Sequence, residues 1–475
     1  MSNKQTIYTV DALCGAGKTF SAIQYAIDKA AAGEQVVIAQ PTRALSLQSY
    51  DVCEDLAGSR LSQNQITMIN SDTTDDVKSD VMSHLSSPQQ YGKILFVTHW
   101  TWEYVSGVGW PNKEEWNLII DEVPSVEAEF SQNVPDNHDV LTRYLGMGDA
   151  DADGYAPLEP KPDFRLPVAR IALNRDQDEV SYVFRDLATW LVSKHWDVFT
   201  KADAYNNLLS GNGKKLIAFA VLNPSIIAGF KSVTIMGALF NDTPLYLIWS
   251  KLGVTFQPHP FIKASLFTQH TNGALIDFRF MHDLNLSKKL NKQHGVIKQM
   301  ARAVISDVAN DKLLWMANKD QPDTLFQNAH GQQTRLSNAP HGINGLEDIH
   351  AVAVVSALNY STPHAKFLEG LGFNKSALKR AVALQSTYQA MMRSSIRNAN
   401  DMHPKKVYVF DKQIAEWLQQ KFSGSTVTPM PGQKALPVKK PGRPTVSQKT
   451  EKERLADQRE RTAKCRAKKK AENSR

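Results

Sequence analysis

The segment Ala12–Thr19, with the sequence ALCGAGKT, constrains the fold of this chain more than any other stretch. A β-prone run, Thr6–Val10, precedes it, and a helix-prone run from Phe20 to about Ala32 follows it. A strand, a glycine-bearing loop with Lys-Thr and a helix form the arrangement of a phosphate-binding loop. A chance match is expected in on the order of a few per cent of chains this long. The segment therefore predicts that the chain binds a nucleoside triphosphate.

Each residue of the loop has an expected role in binding ATP. Gly15 and Gly17, on either side of Ala16, allow the backbone to turn tightly and to direct its N–H groups at the phosphates. Lys18 is expected to reach the β and γ phosphates, and the hydroxyl of Thr19 is expected to bind Mg²⁺. We therefore predict ATP and Mg²⁺ as cofactors.

Two adjacent carboxylates follow a second apolar, strand-like run. Asp121 and Glu122 come directly after Trp116–Ile120, about 100 residues beyond the loop. In isolation such a pair more often lies in a solvated turn, but the alternating β/α context favours a hydrolytic role. Asp121 is expected to bind the metal, and Glu122 is expected to orient and deprotonate the attacking water.

Polar residues also follow two further predicted strands. Gln35–Ala39 runs into Pro41–Gln48, which includes Arg43, and Lys93–Val97 runs into Thr98 and His99. The carboxyl edge of an open parallel sheet is where such folds bind ligands. For Pro41–Gln48 alone, an ordinary connection between a strand and a helix is the alternative.

These segments resemble, in order and rough spacing, motifs I, Ia and II of the superfamily-two (DEAD/DEAH-like) helicases. The alanine at Ala12, where a generic phosphate-binding loop has glycine, is usual in that group. The resemblance implies an α/β fold with two RecA-like parallel-sheet domains, ATP in the cleft between them and a nucleic-acid strand across their carboxyl edges. It implies strand contacts by Arg43, Thr98 and His99.

The domain organisation follows from this resemblance and from the composition of the chain. We predict a first RecA-like domain at 1–255 with an insertion at about 130–225, a connector at 256–293, a second RecA-like domain at 294–422, and a basic linker and disordered tail at 423–475. We expect the insertion to be polar and loop-like over 132–167 and helical over 182–209. Ser232–Ala238 is the best candidate for motif III, and Asn338–Asp348 resembles motif V.

The stretch Gln385–Arg397 resembles motif VI, although Met392 stands where the family has glycine and the second spacing is one residue longer. On a helix, Gln389, Arg393 and Arg397 would share an arc of about 80°. A solvated basic face is the alternative. We expect Gln389 to contact the nucleotide, Arg397 to act as the arginine finger and Arg393 as a phosphate sensor.

The basic charge of the chain is concentrated at its C-terminal end. Residues 434–475 hold 15 Lys and Arg against 5 acidic residues, a net charge of +10, whereas the whole chain has +7. Lys439, Lys440 and Arg443 belong to KKPGRP, which resembles an AT-hook, a segment that binds the minor groove of A·T-rich DNA. We expect a disordered arm that binds phosphate backbones, with a solubilising tail as the alternative.

Together these features predict an ATP-dependent helicase or translocase whose partner is nucleic acid, with DNA favoured over RNA. A packaging-type DNA motor and an ATP-switched DNA-binding protein remain as alternatives. Three scattered cysteines argue against disulfides and zinc. No run of 18 apolar residues and no leader pattern is present, so we expect no membrane partner and a cytoplasmic location (the host cytoplasm if a phage encodes the chain).

Deletion of the residues after about 430 is expected to weaken DNA binding and to flatten its dependence on salt, because fewer counterions are released. Basal ATPase activity should be largely kept. The dissociation constant for duplex DNA, measured over a range of salt concentrations, checks this, and an unchanged salt slope would contradict it.

Overall fold

The computed structural model describes residues 6–87, 91–262, 266–267, 269–337 and 345–431. Within these residues the chain builds three β-sheets, two of them parallel and one antiparallel. None of the described helices is long and apolar enough to span a bilayer.

The first sheet begins with five strands that alternate with helices. The strand Gln35–Gln40 is buried along its whole length, as its largely apolar sequence QVVIA predicts for a parallel strand covered on both faces. The strands are β1 (Thr6–Asp11), β2 (Gln35–Gln40), β3 (Ile66–Met68), β4 (Lys93–Thr98) and β5 (Trp116–Ile120). The helices are α1 (Lys18–Ala31), α2 (Arg43–Ala57), α3 (Val77–Ser86) and α4 (His99–Val108).

The insertion that follows is a five-stranded antiparallel sheet with short helices. Its strands are β6 (Glu127–Asn133), β7 (Leu145–Met147), β8 (Tyr155–Pro160), β9 (Trp196–Lys201) and β10 (Lys215–Leu222), in the order β6-β10-β9-β8-β7. Its helices are α5 (Asp139–Thr142), α6 (Arg165–Leu173), α7 (Glu179–Tyr182), α8 (Arg185–Val192) and α9 (Ala202–Leu209).

The structure corrects the expectation of a loop-like and then helical insertion. β7 and β8 lie in the stretch expected to be loop, and β9 interrupts the stretch expected to be helical. For the loop-like stretch the reason is visible in β8, where buried and exposed residues alternate from Ala156 to Glu159. A half-buried antiparallel strand has this pattern, and its polar positions resemble those of a loop.

The chain then returns to the first sheet through β11 (Ser232–Gly237), α10 (Pro244–Lys251) and β12 (Thr255–Pro258). The completed sheet has the order β12-β1-β11-β5-β2-β4-β3, and every pair in it is parallel. The carboxyl ends of β1, β11, β5, β2 and β4 therefore meet at one edge, which brings the phosphate-binding loop and the Asp-Glu pair together.

The second parallel sheet has six strands in the order β15-β14-β16-β17-β13-β18. These are β13 (Ile276–His282), β14 (Leu313–Met316), β15 (Gln333–Leu336), β16 (Ala351–Val354), β17 (Lys405–Asp411) and β18 (Thr426–Pro429). Its helices are α11 (Lys288–His294), α12 (Val296–Val308), α13 (Thr362–Gly370), α14 (Lys375–Lys379), α15 (Gln385–Met391) and α16 (Lys412–Gln419). The α/β class with two parallel-sheet domains is confirmed.

The observed strands do not agree with two of the predicted domain boundaries, those of the connector and of the end of the second domain. Most of β12 and all of β13 lie within 256–293, which was expected to be a connector, and each joins a different sheet. β18 lies beyond residue 422, where a linker was expected, and pairs in parallel with β13. The edge strands β12 and β18 have four residues each, which is too few for a periodic pattern to be recognised in the sequence.

We expected one helix from Gln385 to Arg397, but the helix α15 ends at Met391. Ser394 begins a separate 3₁₀ turn, and its side chain accepts a hydrogen bond from the backbone N–H of Ile396. Serine side chains compete in this way with helical backbone bonds. The prediction that Gln389, Arg393 and Arg397 share one face of a helix is therefore wrong.

A buried aromatic cluster joins the second domain to the insertion. Phe367 of α13 is 2% exposed, and its ring stacks on Phe219 of β10 with centroids 4.7 Å apart. Tyr155 and Phe199 contact the same ring. Beside it, His364 of α13 lies 2.8 Å from a carboxylate oxygen of Glu127.

We expect Phe367→Ala to lower the free energy of unfolding of the unit that contains it by about 3–5 kcal/mol, because it leaves a cavity among these rings. Phe261→Ala is the matched control, since Phe261 is 72% exposed. Urea unfolding followed by circular dichroism measures both. Equal unfolding midpoints for the two variants would contradict the expectation.

Candidate nucleotide-binding site

A cavity of about 300 Å³ lies at the carboxyl edge of the first sheet. One wall is the loop between β1 and α1, and another is formed by the N-terminal halves of α1 and α2. Glu122 and three residues of the second domain close it. The lining residues of that domain are Met392, Arg393 and Arg397.

The loop adopts the backbone conformation that its glycines permit. Gly15 and Gly17 have φ angles of 82° and 85°, a left-handed region that other residues rarely adopt. Gly17 immediately precedes the first residue of α1, so the helix N-terminus faces the cavity. The ammonium of Lys18 donates to the carbonyls of Ala12 and Leu13, at 2.9 and 3.2 Å.

Asp121 is held in a buried polar network beneath this loop. Its Oδ2 accepts hydrogen bonds from the Thr19 hydroxyl and from Gln40 Nε2, both at 2.9 Å. Gln40 also donates to the hydroxyl of Ser49. Burial, with the neighbouring Glu122 charge, raises the pKa of Asp121 to about 6. The hydrogen bonds from Gln40 and Thr19 and the charge of Lys18 act in the opposite direction but do not offset burial.

Glu122 has a strained backbone. Its φ angle of 66° lies in the left-handed region, which is uncommon for a residue with a side chain. Such strain clusters at active sites, where it holds a side chain in a defined place. Here the side chain lines the cavity beside Lys18 and Thr19.

Arg393 and Arg397 enter the same cavity from the second domain. A Cβ atom placed on Gly15 would lie 3.0 Å from Arg397 Cγ, so the arginine packs directly on the loop. Burial lowers the pKa of Arg393, and the nearby Cys14 and Glu122 act in the opposite direction. Although these arginines do not share a helix, the turn at Met392–Ser394 and the following 3₁₀ turn bring both to the loop.

Gln389 takes a different place from the one expected. It is 8% exposed and is not among the residues that line the cavity; its Oε1 lies 3.6 Å from the Sγ of Cys14. The preceding residue, Tyr388, accepts a hydrogen bond from the backbone N–H of Cys14 at 3.1 Å. The Tyr388 hydroxyl also lies 2.8 Å from Nε2 of His270. Sequence reasoning missed Tyr388 and Cys14.

A second link connects the domains at the end of β11, the candidate for motif III. Gln385 Nε2 donates to the carbonyls of Ala238 and Leu239, at 3.2 and 2.7 Å. Gly237 is required there, because a Cβ atom would lie 2.5 Å from Val123. β11 pairs with both β1 and β5, so its end lies between the loop and the Asp-Glu pair.

The expected strand-binding residues of the first domain lie at or beside the same sheet edge and already have partners. Arg43, the first residue of α2, forms an ion pair with Asp72. Thr98 caps α4 by accepting a hydrogen bond from Thr101, and Nε2 of His99 lies 3.0 Å from the carbonyl oxygen of Asp121. Three more expected residues, Lys439, Lys440 and Arg443, lie outside the described residues, as does most of the motif V candidate.

We expect Asp121→Asn to stabilise the metal-free protein at pH 7.5 by on the order of 2 kcal/mol. A carboxyl whose pKa is higher in the folded than in the unfolded state opposes folding once it ionises, so stability falls as the pH rises from about 4 to about 6. Thermal melts in chelator, from pH 4 to pH 8, measure this.

The control for this variant is Asp176→Asn at an exposed position. It should leave the melting temperature unchanged at every pH. A lower melting temperature for Asp121→Asn than for the native protein at pH 7.5 would contradict the expectation.

Comparison with known proteins agrees with this geometry. Residues 1–143 match the family described as DEAD/DEAH box helicase. A solved structure titled XPD_Helicase superimposes with a TM-score of 0.52 at 12% identity, over 90% of this chain and 96% of that one. S. cerevisiae Dbp5 bound to RNA and ADP BeF3 covers 90% and 85% at 11% identity, with a TM-score of 0.36. A search of curated protein sequences finds no match.

The family match covers the loop, the Asp-Glu pair and the strands that carry them. The structural likeness extends the shared fold over the second domain. Residues 1–143 are therefore similar to a DEAD/DEAH box helicase domain, which indicates an ATP-hydrolysing enzyme, and the chain shares its fold with the structure titled XPD_Helicase.

Proposed function

We propose that this enzyme couples ATP hydrolysis to movement along nucleic acid, with DNA as its substrate. The observation that carries the proposal is the position of Arg393 and Arg397, which come from the second domain and line the cavity formed by the phosphate-binding loop of the first domain. Because one site is made by two domains, binding and hydrolysis of ATP can change how the domains pack.

The residues present fit a Mg²⁺ ion and the phosphates of ATP. The hydroxyl of Thr19 and the carboxylate of Asp121 are hard oxygen donors, and the raised pKa of Asp121 indicates a buried charge that a cation would stabilise. When bound, the ion would neutralise charge on the phosphate oxygens. Lys18 would exchange its loop carbonyls for the β and γ phosphates.

Glu122 and the arginines would act on the γ-phosphate. Glu122 would orient the attacking water and accept its proton, since its strained backbone directs the side chain into the cavity. Arg397, packed on Gly15, would neutralise charge that develops in the transition state, and Arg393 would contact the same phosphate.

DNA is favoured over RNA because of the tail sequence. KKPGRP resembles a segment that binds the minor groove of A·T-rich duplex DNA, a groove whose shape differs in RNA. The net charge of +10 over residues 434–475 would hold the enzyme on a polyanion between catalytic cycles.

The test is ATPase activity measured side by side with single-stranded DNA, duplex DNA and RNA. We expect DNA to stimulate turnover more strongly than RNA. Stimulation by RNA alone would overturn the choice of DNA. No stimulation by any of the three would overturn the motor and leave an ATP-switched binding protein.

Glu122→Gln should lower kcat by about 10²–10⁴-fold while leaving ATP affinity within a few-fold of the native value, since it removes the base and keeps the shape. Glu159→Gln, at an exposed position in the insertion, is the control. Steady-state turnover and equilibrium binding of a fluorescent ATP analogue measure the two quantities. Unchanged turnover in Glu122→Gln would remove Glu122 from the reaction.

A further inference from the structure

An exposed aromatic pair lies on α4, at the carboxyl edge of the first sheet. The rings of Trp100 and Tyr104 are parallel within 4°, with centroids 5.2 Å apart. The ammonium of Lys78, on α3, lies 5.5 Å from the centroid of the Tyr104 ring. We call Trp100, Tyr104 and the adjacent Lys78 the α4 aromatic platform.

Trp100 is 59% exposed although Tyr104 covers one face of its indole. The chain has nine tryptophans, all within the described residues, and the other eight are buried or partly buried. The face of Trp100 that Tyr104 does not cover is therefore the one that solvent reaches. A stack with one open face can be extended by another flat ring.

The position of the platform relates it to the ATP site. Trp100 follows His99, whose Nε2 lies 3.0 Å from the backbone oxygen of Asp121. Thr98 caps the same helix by accepting the N–H of Thr101. A ligand that moves the first turn of α4 would therefore act on the segment that carries the metal-binding carboxylate.

We propose that the α4 aromatic platform stacks a base of single-stranded nucleic acid on the open face of Trp100. An unpaired nucleobase presents the flat π-face that an indole prefers, whereas a base pair within a duplex has no free face to offer. The neighbouring Lys78 ammonium suits a polyanionic chain. The Trp100–His99–Asp121 path then links strand binding to ATP hydrolysis. The inference rests on the proposed function, since it names a contact to the strand.

The matched variants are Trp100→Ala, Trp100→Phe and Tyr182→Ala. Tyr182 is an exposed aromatic residue of α7, in the insertion, and serves as the control. Because Trp100 is largely exposed, its truncation should leave the melting temperature near the native value.

We expect Trp100→Ala to weaken binding of oligo(dT) about 10-fold or more and to abolish most of the stimulation of ATPase activity, with basal activity kept. The slope of log affinity against log salt should stay unchanged, because a stacked base releases no counterions. Trp100→Phe should retain most of the affinity. Tyr182→Ala should behave as native.

Intrinsic fluorescence gives a direct readout of the stack. Oligo(dT) should quench the native protein, and Trp100→Phe should bind without that quenching. If Trp100→Ala binds and is stimulated as the native protein is, the platform is overturned while the proposed function stands. If the native protein shows no stimulation by any nucleic acid, the proposed function fails first.

A reduced salt slope in Trp100→Ala would also overturn the proposal, because it would mean that the platform acts through phosphates. A comparison of oligo(rU) with oligo(dU) changes the sugar and keeps the base. Equal quenching by both supports stacking on the base, whereas quenching by neither overturns it.

Discussion

The close approach of Arg397 to Gly15 is the contact on which the rest of the site depends. A side chain on Gly15 would meet the arginine at 3.0 Å, and the φ angle of 82° would strain any residue other than glycine. One small residue therefore allows the backbone loop that binds phosphate and the guanidinium from the second domain to share a cavity. Without that approach, each domain would hold half of a site.

The second domain also contacts the phosphate-binding loop and the end of β11 through hydrogen bonds to their backbone. Tyr388 binds the backbone N–H of Cys14, and Gln385 binds the carbonyls that follow β11. Both come from one long helical segment in which Arg380–Leu384 forms a short π-helix between α14 and α15. Single turns of π-helix are frequent at functional sites. This segment offers a physical path by which phosphate contacts can reach the second sheet.

The fold and the first half of the site could be predicted from local sequence. The loop at Ala12–Thr19 and the pair Asp121-Glu122 each depend on a strand and the turn after it, so neighbouring residues suffice to identify them. The parallel-sheet class followed from alternating β/α patterns. Short edge strands such as β12 and β18 were not predicted, because four residues are too few for a periodic pattern to be recognised.

The second half of the site depends on contacts between residues far apart in the chain. Gln389 was expected at the nucleotide because a helix through Arg397 would have aligned the three side chains, but Ser394 ends that regularity. Tyr388 is recognisable only once α15 is seen against Cys14, which is 374 residues away in sequence. Burial of Asp121 and the strain at Glu122 likewise exist only after folding.

The most direct test of the two-domain site is single-turnover ATP hydrolysis by Arg397→Ala and Arg393→Ala, with ATP affinity measured in parallel. The account predicts that Arg397→Ala loses about 10³–10⁵-fold in rate with nearly native affinity, as removal of a finger does. Arg393→Ala should lose rate and affinity together. Hydrolysis by Arg397→Ala near the native rate would contradict the claim that the second domain completes the site.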